Sequence, residues 1–176
     1  GAEALVLVPK SDGTGQAEGA RQQNLREALA ALKPLLASAG IVGLVEPLGF
    51  AICSLRSKRE AAEAIRDIGG ETVFRLVHDT FHHHLAGEPE LFPALTGLVH
   101  ISGVTDATLA PEALRDAHRV LVDADDRLDN VGQIRALRSG GYQGPFSFEP
   151  FAASVHALKD PAAAVMASMD HIRSSV

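Results

Sequence analysis

Four side chains able to hold a divalent cation stand at comparable places along the 176-residue chain: Glu46, Asp79, His100 and Glu149 each follow, or lie near the end of, a short apolar run. Three carboxylates and one imidazole form a net-negative set of oxygen and nitrogen donors. Such a set suits Mn²⁺, Co²⁺, Mg²⁺ or Zn²⁺ with positions left for a substrate, and the sequence does not choose among these ions. Taken singly, each residue has an ordinary structural reading, because an acid after a strand often caps the next helix and a lone histidine is usually packed. Their repetition at one kind of position makes them a candidate site, since parallel α/β folds gather functional groups where the carboxyl ends of strands open into loops.

The elements that must position these residues read as strands alternating with helices. Ala4 to Val8 reads as a buried strand closed by Pro9, followed by a Gly-rich polar loop over 11–19. Leu25, Leu29, Leu32 and Leu36 recur at steps of three and four, which predicts a helix from Ala20 to Ala39 stopped by Gly40. Pro34 lies inside it and predicts a kink or an early break, at a cost of about 3 kcal/mol. Ile41 to Val45 runs into Glu46-Pro47, and a helix over 57–68 ends at Gly69-Gly70. Val73 to Val77 leads into His78-Asp79, Leu98 to Ile101 contains His100, and Pro145 to Phe148 leads into Glu149. One short helix and a second centred on Val131 to Leu137 are expected between Pro111 and Ser139. Asp160-Pro161 then opens a last helix with Val165, Met169 and Ile172 inward. Five strands alternating with helices imply an α/β fold with a parallel sheet, because parallel neighbours need crossover connections and bury both sheet faces. Residues 1–176 read as a single domain.

Composition narrows the function classes. A net charge of −6 with scattered Lys and Arg offers no basic stripe, so nucleic acid is not an expected partner. Cys53 is the single cysteine, which excludes an intrachain disulfide and a Cys-pair zinc motif and leads us to expect a cytoplasmic setting. No run approaches the roughly 18 apolar residues of a membrane span.

The runs Val45-Glu46-Pro47-Leu48-Gly49-Phe50, Val99-His100-Ile101-Ser102 and Phe146-Ser147-Phe148-Glu149-Pro150-Phe151 carry a resemblance, as does the stretch His78 to Gly87 with its Asp79-Thr80-Phe81-His82 core. They resemble the xylose-isomerase-like TIM-barrel superfamily of sugar phosphate isomerases and epimerases, and within it the inosose (keto-myo-inositol) isomerases. The resemblance implies a partial (β/α) barrel of about five units that ends with the family's last. It matches Glu46, Asp79, His100 and Glu149 to ligands of one divalent metal, and His82 and Arg119 to substrate-binding residues. It makes Glu46 and Glu149 a paired acid and base that move a proton beside the carbonyl of a small polyol ketone or ketose, through an enediolate held on the metal. Expulsion of a hydroxide from the same enediolate would make the protein a dehydratase, and a barrel lacking units could be inactive. A nuclease of the same superfamily is disfavoured by the acidic balance. Because a full barrel needs about 250 residues, open edges and apolar surface are expected, covered by a second copy or by the missing units. The chain departs from the family at Ser102-Gly103, where relatives carry aspartates, and at 122–125, where they carry a Pro-Gly loop.

The remaining polar residues read more plainly. His78 points away from Asp79 by strand alternation and is expected between sheet and helix. His83 and His84 are expected to be structural or solvated. Arg119 lies in a segment read as helical, where a surface ion pair is its ordinary role. Asp123, Asp125, Asp126 and Asp129 read as solvated or capping, and Lys10 as a surface lysine.

Overall fold

A computed structural model describes residues 1–15, 17 and 19–176, so positions 16 and 18 of the expected 11–19 loop lie outside the described residues. Five strands form one parallel sheet in the order β1-β2-β3-β4-β5: β1 Ala4–Leu7, β2 Val42–Val45, β3 Phe74–Asp79, β4 Thr96–Ile101 and β5 Phe146–Phe148. Spatial order equals chain order, the path that successive right-handed βα units take. The strands curl into half of a barrel. The helices are α1 Ala20–Ala39, α2 Lys58–Asp67, α3 Thr80–Ala86, α4 Asn130–Ser139, α5 Ala153–His156 and α6 Pro161–Ser175.

Helix α1 packs through the leucine stripe: Leu29 and Leu36 are buried, and Leu25 and Leu32 pack against the same cluster. Pro34 does not end it. The helix continues to Ala39 and is closed by Gly40 at φ 65°, the left-handed conformation that glycine adopts without steric cost. Pro34 and Ala30 both face solvent, so water can reach the carbonyl that the proline leaves without its amide partner. Helix α2 begins on Ser57, whose Oγ accepts from the Glu60 amide at 3.2 Å. Its face of Ala61, Ala62, Ala64 and Ile65 closes over Phe74 and Leu76 of β3. Burying such side chains completely stabilises by roughly 1.5–3 kcal/mol each.

A second cluster joins Val99 and Ile101 of β4 to Ile134 and Leu137 of α4 and Ile172 of α6. In α6, Ile172 and Ser168 are buried whereas Val165 and Met169 are half-buried, and Asp160 caps the first turn through the Ala163 amide. Two expectations fail locally. Strand β1 is not buried: it is a sheet edge, with Leu5 52% and the adjoining Val8 64% exposed. The segment from Pro111 holds two 3₁₀ turns, Pro111–Ala113 and Asp116–His118, in place of one short helix.

Candidate metal centre

The sheet brings the four candidate ligands together at its carboxyl end. Asp79 and His100 are paired residues across the β3–β4 ladder, so their side chains stand next to each other. Glu46 and Glu149 lie one residue beyond β2 and β5, yet the ladder still holds them: the Glu46 amide donates to Leu7 O at 3.0 Å and the Glu149 amide to Ile101 O at 2.9 Å. One donor atom from each of Glu46, Asp79, His100 and Glu149 lies within 4.8 Å of the others. Glu46, Asp79 and His100 are buried, and Glu149, with 29% of its side chain exposed, faces the opening.

Three carboxylates this close repel one another unless cations intervene, and the chain supplies two. His100 Nδ1 lies 2.9 Å from Glu46 Oε1 and 3.4 Å from Glu149 Oε2. Burial alone would lower the His100 pKa, but its hydrogen bonds to Glu149 and Glu46 and their charges outweigh that and raise it to about 10. Burial pushes the Glu46 carboxyl up while His100 opposes it. The proton between this pair therefore resides on the imidazole, which two acids stabilise.

The second cation is Arg119. Nη2 lies 2.5 Å from Asp79 Oδ2 and 2.9 Å from Glu149 Oε2, Nη1 lies 3.3 Å from Asp116, and Nε donates to Ser102 Oγ at 2.9 Å. Its guanidinium also lies about 5 Å from the ring centres of Phe81 and Phe151 (5.0 and 4.9 Å). Burial of Asp79 would raise its pKa, but Arg119, His82 and the His82 amide hold it below the usual range. These contacts correct two expectations. Arg119 sits in extended backbone after the second 3₁₀ turn, not in a helix, and it is buried inside the ligand cluster, not in a surface ion pair.

The donor set fits one divalent ion. Each of the four residues already turns a donor atom toward the others, and a cation among the carboxylates would take over the charge balance that the His100 proton and Arg119 now supply.

His82 is buried beside this cluster but contributes no atom to it. Its amide donates to Asp79 Oδ1 at 2.9 Å, which makes Asp79 the N-cap of α3, and its ring packs edge-on to Phe50 and Phe81. Its Nδ1 accepts from the Gly49 amide at 3.3 Å, and burial lowers its pKa. Only glycine allows that approach, because a Cβ at Gly49 would lie 2.3 Å from His82 O.

The other histidines turn elsewhere. His78 lies under the sheet with Nε2 2.8 Å from Gln133 Oε1. His83 Nδ1 lies 2.6 Å from Lys58 Nζ. Lys10 stays exposed beside Asp12. Of the acidic run, Asp129 caps α4 and Asp126 accepts from the amides of Val104 and Asn130.

Sequence reasoning missed Ser102, Asp116, Phe81 and Phe151, which seat Arg119, and the buried Lys58–Glu88 pair. Ser102 alone carried a signal: it stands two residues beyond His100, on the same side of an extended chain.

With this geometry established, comparison with known proteins decides the family. The model of the xylose isomerase-like TIM barrel family matches residues 1–175. The chain belongs to that family. A xylose isomerase domain containing protein from Salmonella typhimurium LT2 is 37% identical, with a TM-score of 0.83 over 99% of this chain and 62% of its own. The zinc-bound IolI protein is 19% identical with a TM-score of 0.86, over 99% of this chain and 64% of its own. D-psicose 3-epimerase from Clostridium cellulolyticum H10, solved with D-tagatose, is 14% identical with a TM-score of 0.68, over 97% of this chain and 64% of its own. The chain thus spans less than two thirds of the length of these relatives. Among curated proteins, none matches. Among the described residues, no helix is long and apolar enough to cross a membrane.

Proposed function

We propose that the chain carries the reacting groups of a divalent-metal-dependent isomerase or epimerase acting on a small polyol ketone of the inosose or ketose class. The observation that carries this reading is the convergence of Glu46, Asp79, His100 and Glu149 to within 4.8 Å at the carboxyl end of a parallel sheet. The fold of the D-psicose 3-epimerase and the zinc of the IolI protein support it.

A divalent ion held by these four residues would supply positive charge to the oxygens of a carbonyl and its neighbouring hydroxyl. Glu149, the most accessible of the four, is the group able to reach a carbon-bound proton from the opening. Glu46, the buried carboxylate on the other side of His100, is placed to return one. Return to the other face of the same carbon epimerises, and return to the adjacent carbon moves the ketone. Arg119, rigidly seated, and neutral His82 would orient substrate hydroxyls. Both edges of the half-barrel, β1 and β5, would accept further βα units or a second copy. The buried free thiol of Cys53 suits a reducing, cytoplasmic setting.

The test is solvent deuterium exchange. Protein supplied with Zn²⁺ or Mn²⁺ is incubated with inososes, D-tagatose and D-psicose in D₂O, and NMR follows label beside the carbonyl. Metal-dependent exchange is expected, and Glu149→Gln should lower it by roughly 10²–10⁴-fold while metal still binds. Full exchange by Glu149→Gln with metal bound refutes the acid and base assignment, and loss of hydroxide in place of exchange marks a dehydratase.

A further inference from the structure

Both carboxylate oxygens of Asp79 are taken. Oδ1 accepts from the His82 amide at 2.9 Å, the bond that makes Asp79 the N-cap of α3, and Oδ2 accepts from Arg119 Nη2 at 2.5 Å. The helix keeps the first bond, so Oδ2 is the oxygen that Asp79 can yield to a divalent ion. The same Nη2 also holds Glu149 Oε2 at 2.9 Å. Two cations on one buried oxygen repel each other, so an ion at this position drives the terminal nitrogens of Arg119 away.

Where they go is set by what holds the rest of the residue. The backbone is clamped on both sides: Gly103 and Val120 exchange amide hydrogen bonds of 2.8 and 2.9 Å, and the Ala152 amide donates to Arg119 O at 2.8 Å. Nε donates to Ser102 Oγ at 2.9 Å, and the rings of Phe81 and Phe151 lie against the guanidinium. These anchors leave a pivot about Nε. On its other side Nη1 already lies 3.3 Å from Asp116 Oδ1, in the 3₁₀ turn that the Arg119 amide closes on Asp116 O at 3.0 Å. Among the described residues the Asp116 carboxylate pairs with no other cation. It is 49% exposed and stands on the wall of a cavity of about 630 Å³ that Phe50 and Leu114 also line, so the pivot has room.

We propose that Asp116 is a positioning residue of the metal centre: when a divalent ion takes Asp79 Oδ2, Arg119 pivots on Ser102 from the Asp79 and Glu149 carboxylates to Asp116, which keeps it beside the site. The inference rests on the preceding reading for the ion. It makes Arg119 a cation that changes partner and stays, and it ties occupancy of the centre to the 3₁₀ turn at the mouth.

Calorimetric zinc titration of a double-mutant cycle tests this. Asp116→Asn should weaken zinc binding about tenfold, because the displaced Arg119 then has no acid to receive it. In the Arg119→Met background the same substitution should change zinc affinity by less than about twofold, since what remains is the screened charge of an exposed residue. NMR supplies a second measurement, hydrogen exchange of the Arg119 Nε–H bonded to Ser102. Without zinc the parent and Asp116→Asn should exchange alike, because Asp79 and Glu149 hold the guanidinium in both. With saturating zinc, exchange in Asp116→Asn should be at least about fivefold faster than in the parent. An equal effect of Asp116→Asn on zinc affinity in both backgrounds, or equal exchange in the two zinc-loaded proteins, overturns the inference; the exchange measurement decides it if Arg119→Met does not fold. Parent protein that binds no zinc refutes the metal reading and this inference with it.

Discussion

Replacing Arg119 by Met separates the two ways in which the carboxylate cluster can be balanced. The Arg119 side chain is 1% exposed and its Asp79 partner 0%, so Arg119→Met strands a buried carboxylate whose remaining hydrogen bond among the described residues comes from the His82 amide. Breaking one side of such a buried pair costs about 3–5 kcal/mol. The contacts to Glu149 and Asp116, 29% and 49% exposed, add little because water screens them. Met retains part of the packing between Phe81 and Phe151. For a domain of this size each kcal/mol lowers Tm by roughly 2–4 °C, so metal-free Arg119→Met should melt about 6–20 °C lower. Two companion measurements identify the cause. Asp79→Asn in the Arg119→Met background should recover much of the loss by removing the stranded charge. Zn²⁺ should raise Tm more in Arg119→Met than in the parent, because the ion replaces a cation that the variant lacks. Urea and thermal unfolding with and without zinc provide these values. A metal-free loss below about 1 kcal/mol, or identical zinc-induced shifts, refutes the reasoning.

Two further outcomes follow from the same electrostatics. His100 is raised to about 10 in the folded metal-free protein, so its contribution is complete below the ordinary histidine pKa of about 6.5 and is lost as pH climbs toward 10. Chelated protein should therefore lose Tm between about pH 7 and 10, more steeply than His100→Gln, and parallel profiles would remove the imidazolium from the account. Beside Asp79, outside the four candidate ligands, Glu88 accepts from the Lys58 and Arg59 amides at 3.0 and 2.8 Å and pairs with the buried Lys58 ammonium at 3.0 Å. Glu88→Gln should destabilise by about 3 kcal/mol in urea unfolding and leave zinc affinity within twofold. A stability change within experimental error would show that solvent already compensates Lys58.

Local sequence carried most of the architecture. Leucine spacing located α1, Ser57 and Asp160 located the starts of α2 and α6, and the runs before Glu46, Asp79 and Glu149 located three strand ends, because caps, stripes and apolar runs act over a few residues. The early break offered at Pro34 does not occur and β1 is an edge and not a buried strand, because solvent around Ala30 and the absence of an outer neighbour are properties of the assembled sheet.

The candidate ligands were legible for a related reason. Parallel strands fed by crossovers must open at one end, so residues that follow successive strands share a rim, and residue types suited to a cation on that rim announce themselves. What only the tertiary structure decided is how this cluster is balanced. Arg119 reaches Asp79 from 40 residues away, Ser102, Phe81 and Phe151 fix it there, and the loops around Phe50 and Leu114 leave a cavity beside it. Such contacts join positions remote in the chain, and burial, which sets their strength, exists only once the sheet has curled and the loops have packed.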